Sequence, residues 1–175
     1  MSNGSRIWVI PLAAAALAQP AYAIVYLSLE QAQQLMFAGQ TLTPYPLVLS
    51  AAQIAAIEKD SGVKVFPGSV RAWRAADGYF FTDSVIGKHD LINYAVALSN
   101  DGKIRRVEIL EYREAYGGEV RNEHWRAQFI GRHHGEPISI GHDIQNISGA
   151  TLSCTHVTDG IRRLLATYAI AIAGK

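Results

Sequence analysis

The stretch Leu91-Ile92-Asn93-Tyr94-Ala95-Val96-Ala97-Leu98-Ser99-Asn100-Asp101-Gly102-Lys103-Ile104-Arg105-Arg106-Val107-Glu108-Ile109-Leu110-Glu111-Tyr112 decides the fold. From Leu91 to Ser99, Tyr94, Val96 and Leu98 fall on one face at the period of two that marks a strand. Asn100-Asp101-Gly102-Lys103 then reads as a hairpin turn, because Asp-Gly tolerates the positive backbone angles of a tight antiparallel reversal. Ile104 to Tyr112 returns as the partner strand and leaves Glu114 just past the sheet.

Upstream of the hairpin, Asp77-Gly78 introduces a strand at Tyr79 to Asp83. Before it, Val63, Val65, Val70 and Ala72 alternate with polar positions around a Pro67-Gly68 turn, so sheet structure is expected from Val63. Ser50 reads as the cap of a helix carrying Ile54 and Ile57 and ended by Asp60-Ser61-Gly62, and Thr43-Pro44-Tyr45-Pro46 as a break before it. Leu29 to Phe37 reads as another helix, with Leu29, Ala32, Leu35 and Met36 along one side. At the N-terminus, Arg6, the apolar run Ile7 to Ala18 and Ala21-Tyr22-Ala23 read as a signal peptide cleaved after Ala23. The apolar run is shorter than the roughly 20 residues that span a bilayer, so a retained anchor is the lesser reading.

Downstream, Asn122 to Arg132 is predicted helical, with Trp125, Phe129 and Ile130 in register. The segment from Gly131 to Ile147 is polar and reads as a flexible loop carrying His133, His134 and His142. In the last helix Val157, Ile161, Leu164, Leu165, Tyr168 and Ile172 recur at three-to-four-residue spacing, one buried face. The expected class is α+β: a central antiparallel sheet flanked by N-terminal helices and a C-terminal helix. The expected organisation is residues 1–23 as signal peptide, 24–62 as an N-terminal helical segment and 63–175 as the functional domain.

Composition narrows the function. The 175 residues are 49% hydrophobic, enough for one substantial core. With 16 basic and 15 acidic side chains and a formal net charge of +1, no field draws the chain to nucleic acid. A single cysteine, Cys154, excludes an internal disulfide, a multi-cysteine zinc site and two-cysteine haem attachment, and reads as a small buried residue. His133 and His134 are adjacent and cannot easily converge on one ion, so no metal site is expected.

The chemistry concentrates at Gln145-Asn146-Ile147-Ser148-Gly149-Ala150-Thr151-Leu152-Ser153, where the polar loop hands over to the last helix. Gly149 accepts angles that other residues avoid, and Ala150 leaves room for a bulky group near the main chain. Thr151 stands at a helix N-terminus, where unpaired N–H groups and the dipole favour a phosphate. The residues alone leave two readings open, a helix-cap or surface threonine and a phosphate site.

Ser148-Gly149-Ala150-Thr151, followed by Ser153, resembles the flavinylation motif of the FMN-binding domain family, which includes flavin subunits of the Rnf and sodium-pumping NADH:quinone oxidoreductase complexes. Glu114-Ala115-Tyr116-Gly117-Gly118 is similar to the family's acidic, glycine-containing turn near the flavin, and Trp125, Gln128, Phe129, Gly131 and Arg132 to its amphipathic helix. The resemblance implies FMN as cofactor, with Thr151 esterified by a flavin transferase that uses Mg²⁺. It further implies a site made of Ser148, Gly149, Ala150, Ser153, Glu114, Tyr116, Gly117, Gly118, Trp125 and Gln128. Tyr116 is the expected stacking partner of the ring. Together with the signal peptide, the expected role is an exported, periplasmic electron carrier serving a membrane or periplasmic redox partner rather than a stand-alone enzyme. One position departs from the pattern: Gln145 stands where the family carries Asp. The alternative is therefore a sensor or scaffold module that holds FMN reversibly.

Overall fold

The computed structural model describes residues 23–66, 68–114 and 116–173; the leader up to Tyr22 lies outside them. The elements run β1 (Ile24–Val25), α1 (Leu29–Met36), β2 (Thr43–Tyr45), α2 (Ala51–Ser61), β3 (Arg71–Arg74), β4 (Gly78–Ile86), β5 (Leu91–Ser99), β6 (Ile104–Tyr112), a 3₁₀ turn (Gly118–Arg121), α3 (Glu123–Ala127) and α4 (Thr151–Ala171). The strands form one sheet in the order β1-β6-β5-β4-β3-β2, and every neighbouring pair is antiparallel. The fold is α+β, and the β5–β6 hairpin lies where the alternation and the Asp-Gly turn placed it.

Both faces of the central strands are covered, which is why β5 is nearly continuous in apolar residues. Ile92, Tyr94, Val96 and Leu98 face α4 and pack with Val157, Ile161, Leu164, Leu165, Tyr168 and Ile172. Each such buried side chain contributes about 1.5–3 kcal/mol relative to exposure. On the opposite face Ala95, Ala97 and Phe80 meet Ala32, Met36 and Phe37 of the α1 region, the two alanines letting that helix approach closely. Helix α2 lies behind α4, where Ile57 and Ala166 are fully buried together with Val65. Ser28 and Ser50 start α1 and α2 through reciprocal capping boxes with Gln31 and Gln53.

One ionic contact locks α4 to the sheet. Arg163 and Asp83 are each 2% exposed, and the guanidinium donates to Asp83 Oδ2 at 2.6 Å and to the carbonyl of Lys64 at 2.8 Å. Tyr94 donates its hydroxyl to the same carboxylate oxygen at 2.9 Å. Burial, reinforced by the Asp83 charge, pushes the Tyr94 phenol well above its ordinary value, so it stays protonated as a donor.

Four expectations are corrected. Residues 24–62 hold the two expected helices but also supply both edge strands, β1 beside β6 and β2 beside β3; Pro44, read as a break, sits on the outermost strand, where a missing N–H costs nothing. Val63 and Val65 are not in a strand, because Val65 turns onto Ile57 and β3 begins only at Arg71. The helix after Asn122 ends at Ala127, since Gly131 turns to pair with Ile104 (Gly131 N–H to Ile104 C=O, 2.7 Å), and Ile130 is left exposed. The loop after Gly131 is not wholly polar in placement: Ile138 and Ile144 are buried in the main core.

Replacing Asp83 with Ala should lower unfolding free energy by about 3–5 kcal/mol, because it strands a buried guanidinium. Urea denaturation checks this, and a loss below about 0.5 kcal/mol, the scale of an ordinary surface change, would show that the pair does not anchor α4.

Candidate functional site

Strand β6 ends at Tyr112, and the chain turns through Tyr116 and Gly117 into the 3₁₀ turn. Tyr112 organises that turn: its hydroxyl donates to the Tyr116 carbonyl and lies 2.9 Å from Ser153 Oγ. Burial pushes the Tyr112 phenol above its ordinary value, with the Ser153 contact opposing. One hydroxyl thus joins the end of β6 to the first turn of α4. Gly117 has φ +90°, and a Cβ there would sit 2.6 Å from Ser153 Oγ and 2.7 Å from the Tyr112 hydroxyl. Only glycine fits both the angle and the space.

A cleft of about 780 Å³ opens beside this turn, lined by Tyr26, Tyr116, Gly117, Gly118, Glu119, Arg121, Asn122, Glu123, Arg126 and Gly149. Tyr116 is 87% exposed, its ring open to a planar partner. Arg121 lies 4.3 Å over the Tyr26 ring and has no ion pair among the described residues, whereas Arg126 is buried against Glu108. Gly149, at φ +87°, is the cleft's link to α4. Two residues on, Thr151 opens that helix with an exposed side chain. Ala150 caps it without a side-chain acceptor, so among the described residues the first-turn N–H groups have no side-chain capping partner.

The expected site residues separate by task. Tyr116, Gly117, Gly118 and Gly149 line the cleft, and Ser148 and Thr151 are exposed beside Gly149. Trp125 and Gln128 do not line it; they hold the loop that precedes Thr151. Trp125 Nε1 donates to the Gln145 carbonyl at 2.8 Å, and the Gln145 N–H donates to Gln128 Oε1 at 2.8 Å. Gln128 is itself fixed by donating to the Trp125 carbonyl at 3.1 Å. Ala150 and Ser153 are buried, Ser153 with its hydroxyl turned to Tyr112. Glu114 points at the β4–β5 turn and accepts from the backbone N–H groups of Asp90, at 2.9 Å, and His89. Burial works to raise its carboxyl, but the N–H groups of Asp90, His89 and Lys88 outweigh it and hold the group below the usual range.

Sequence reasoning missed Tyr26, Arg121 and Arg126. The two arginines follow the glycine turn closely enough to have been weighed, but Tyr26 reaches the cleft only because β1 pairs with the end of β6, and nothing local signals that. His134 faces Asp60 at 2.8 Å and His133 faces Glu136 at 3.1 Å. His156 Nδ1 lies 2.9 Å from the Gly87 carbonyl, beside a smaller apolar cleft of about 330 Å³ that includes Phe66, Val85, Ile86 and Leu91.

Residues 87–166 match the family model of the FMN-binding domain. The chain carries a domain of that family. Its cofactor is FMN, and the chain is a flavoprotein. The matched span runs from the β4–β5 turn through the cleft and the Ser148–Thr151 loop into α4. No curated protein matches the chain. The residues fit the group: the cleft offers an open tyrosine face, glycines that leave its backbone accessible and, among the described residues, a cation without an ion pair, and α4 starts beside it without a side-chain cap.

Gly117→Ala should lower stability by about 1–3 kcal/mol, the usual cost of forcing a side chain into this backbone region, and should weaken FMN retention. Urea denaturation and bound-flavin absorbance check it. Unchanged values in both would show that the turn yields freely.

Proposed function

We propose that this chain is an exported electron-transfer protein whose FMN is held by a phosphoester to Thr151. The observation that carries the reading is the exposed Thr151 hydroxyl at the uncapped start of α4, joined through Gly149 to the large cleft. A phosphate there meets first-turn N–H groups and the positive end of a 21-residue helix. A ring entering the adjacent cleft would meet the Tyr116–Gly118 turn that lines it. Bound FMN supplies one- and two-electron transfer. The chain's own residues would position it: Gly117 and Gly118 would admit it to the main chain, Tyr116 would cover a face, Arg121 would place positive charge beside it, and Trp125 and Gln128 hold the loop.

Attachment needs a separate enzyme, because among the described residues no side chain beside Thr151 is placed to take its proton. The flavin transferase, with Mg²⁺, uses a flavin phosphoanhydride as donor. The bond from Thr151 Oγ1 to phosphorus forms, the anhydride P–O bond breaks, the nucleotide leaves, and the hydroxyl proton passes to a base of the transferase. The residue 1–23 leader supports export to the periplasm, and a membrane or periplasmic redox partner would exchange electrons with the exposed ring. No described helix is long and apolar enough to cross a membrane.

Co-expression with a flavin transferase should give a chain that fluoresces in a denaturing gel and carries one FMN by intact mass, and Thr151→Val should abolish both. A fluorescent Thr151→Val band would move the attachment elsewhere. Gln145 at the family's Asp position supports the rival reading of reversible FMN. In that case the yellow colour leaves on dialysis and no gel band forms.

A further inference from the structure

Among the described residues the Thr151 hydroxyl has one side-chain partner: Asn146 Nδ2 donates to Oγ1 at 2.9 Å. The donor is well anchored for an exposed residue. On one side of it the Gln145 backbone is gripped by Trp125 and Gln128. On the other, the Ile147 carbonyl accepts from the Ala150 N–H at 3.0 Å, and the Ile147 side chain packs on the core. The Gln145 side chain makes no hydrogen bond among the described residues. Asn146 therefore spans a short fixed strap, and its amide is the one group in the strap that touches the hydroxyl.

That contact has a chemical consequence. A threonine at a helix start can turn its hydroxyl among staggered positions, and a fixed N–H donor selects the one in which Oγ1 faces it. Because the amide gives a proton and takes none, the hydroxyl's own proton stays available to an outside base, while one oxygen lone pair is tied down. A neutral amide also adds no charge to repel a phosphate.

We infer that Asn146 is a positioning residue for flavin attachment, orienting Thr151 Oγ1 toward the incoming phosphorus, and that Gln145 plays no part in it. This rests on the reading that Thr151 is the attachment residue. The test follows initial rates of labelling by a flavin transferase over a range of chain concentrations, comparing wild type, Asn146→Ala and Gln145→Ala. Asn146→Ala should lower kcat roughly tenfold, the weight of one positioned hydrogen bond, with KM for the chain and the unfolding midpoint unchanged. Gln145→Ala should match wild type. Labelling of Asn146→Ala at the wild-type rate, a rise in KM alone, or an equal slowing in Gln145→Ala would overturn the inference. A second readout needs no transferase: the side-chain amide resonances of Asn146 should be shifted and protected from exchange in wild type and should lose both in Thr151→Val. Identical resonances would overturn it. A wild-type chain that takes no label at Thr151 sinks the attachment reading instead, and the resonances still decide whether Asn146 holds the hydroxyl.

Discussion

A guanidinium buried to 2% exposure has to be paired, and Arg163 has its charge partner in Asp83 of β4. This requirement fixes how α4 lies on the sheet. The hydrophobic stripe of α4 alone would tolerate small rotations and slides, since apolar contact is not directional. The contact from Arg163 to Asp83, shared with the Tyr94 hydroxyl, removes that freedom. Thr151 lies twelve residues back along the same helix, about 18 Å, so its position in space follows from the ion pair.

The site is tied down again from the other end. Tyr112 closes β6 by holding both the Tyr116 carbonyl and Ser153 Oγ, so the glycine turn and the first turn of α4 move as one piece. Trp125 and Gln128 then grip Gln145 and deliver the loop to Gly149. The cleft's walls are thus set by hydrogen bonds made outside it. A large aromatic cofactor can be held in an open cleft by this arrangement, because the surrounding chain is already ordered and little entropy is lost when it enters.

Much of this was legible in the residues. The β5–β6 hairpin showed itself because alternation and an Asp-Gly turn agree, and α4 because six apolar residues keep helical spacing. FMN came from the resemblance around Ser148–Thr151 and Tyr116–Gly118, and the family match supports it. What escaped was non-local. A strand of two residues such as β1 has no periodicity to read, so Tyr26 could not be placed in the cleft. Trp125 and Gln128, expected at the cofactor, do not line the cleft and instead hold the loop before Thr151. Their polar atoms answer to the backbone of Gln145, some twenty residues on, and no spacing rule reports such a partner. Ile138 and Ile144 were hidden by the histidines and glycines around them.

The most direct test of the account is a crystal structure of the FMN-loaded chain. The isoalloxazine should occupy the cleft between Tyr116–Gly118 and Arg121, with the phosphate on Thr151 at the start of α4. A ring seated instead in the apolar cleft between Phe66 and Leu91, or a phosphate away from Thr151, would contradict it.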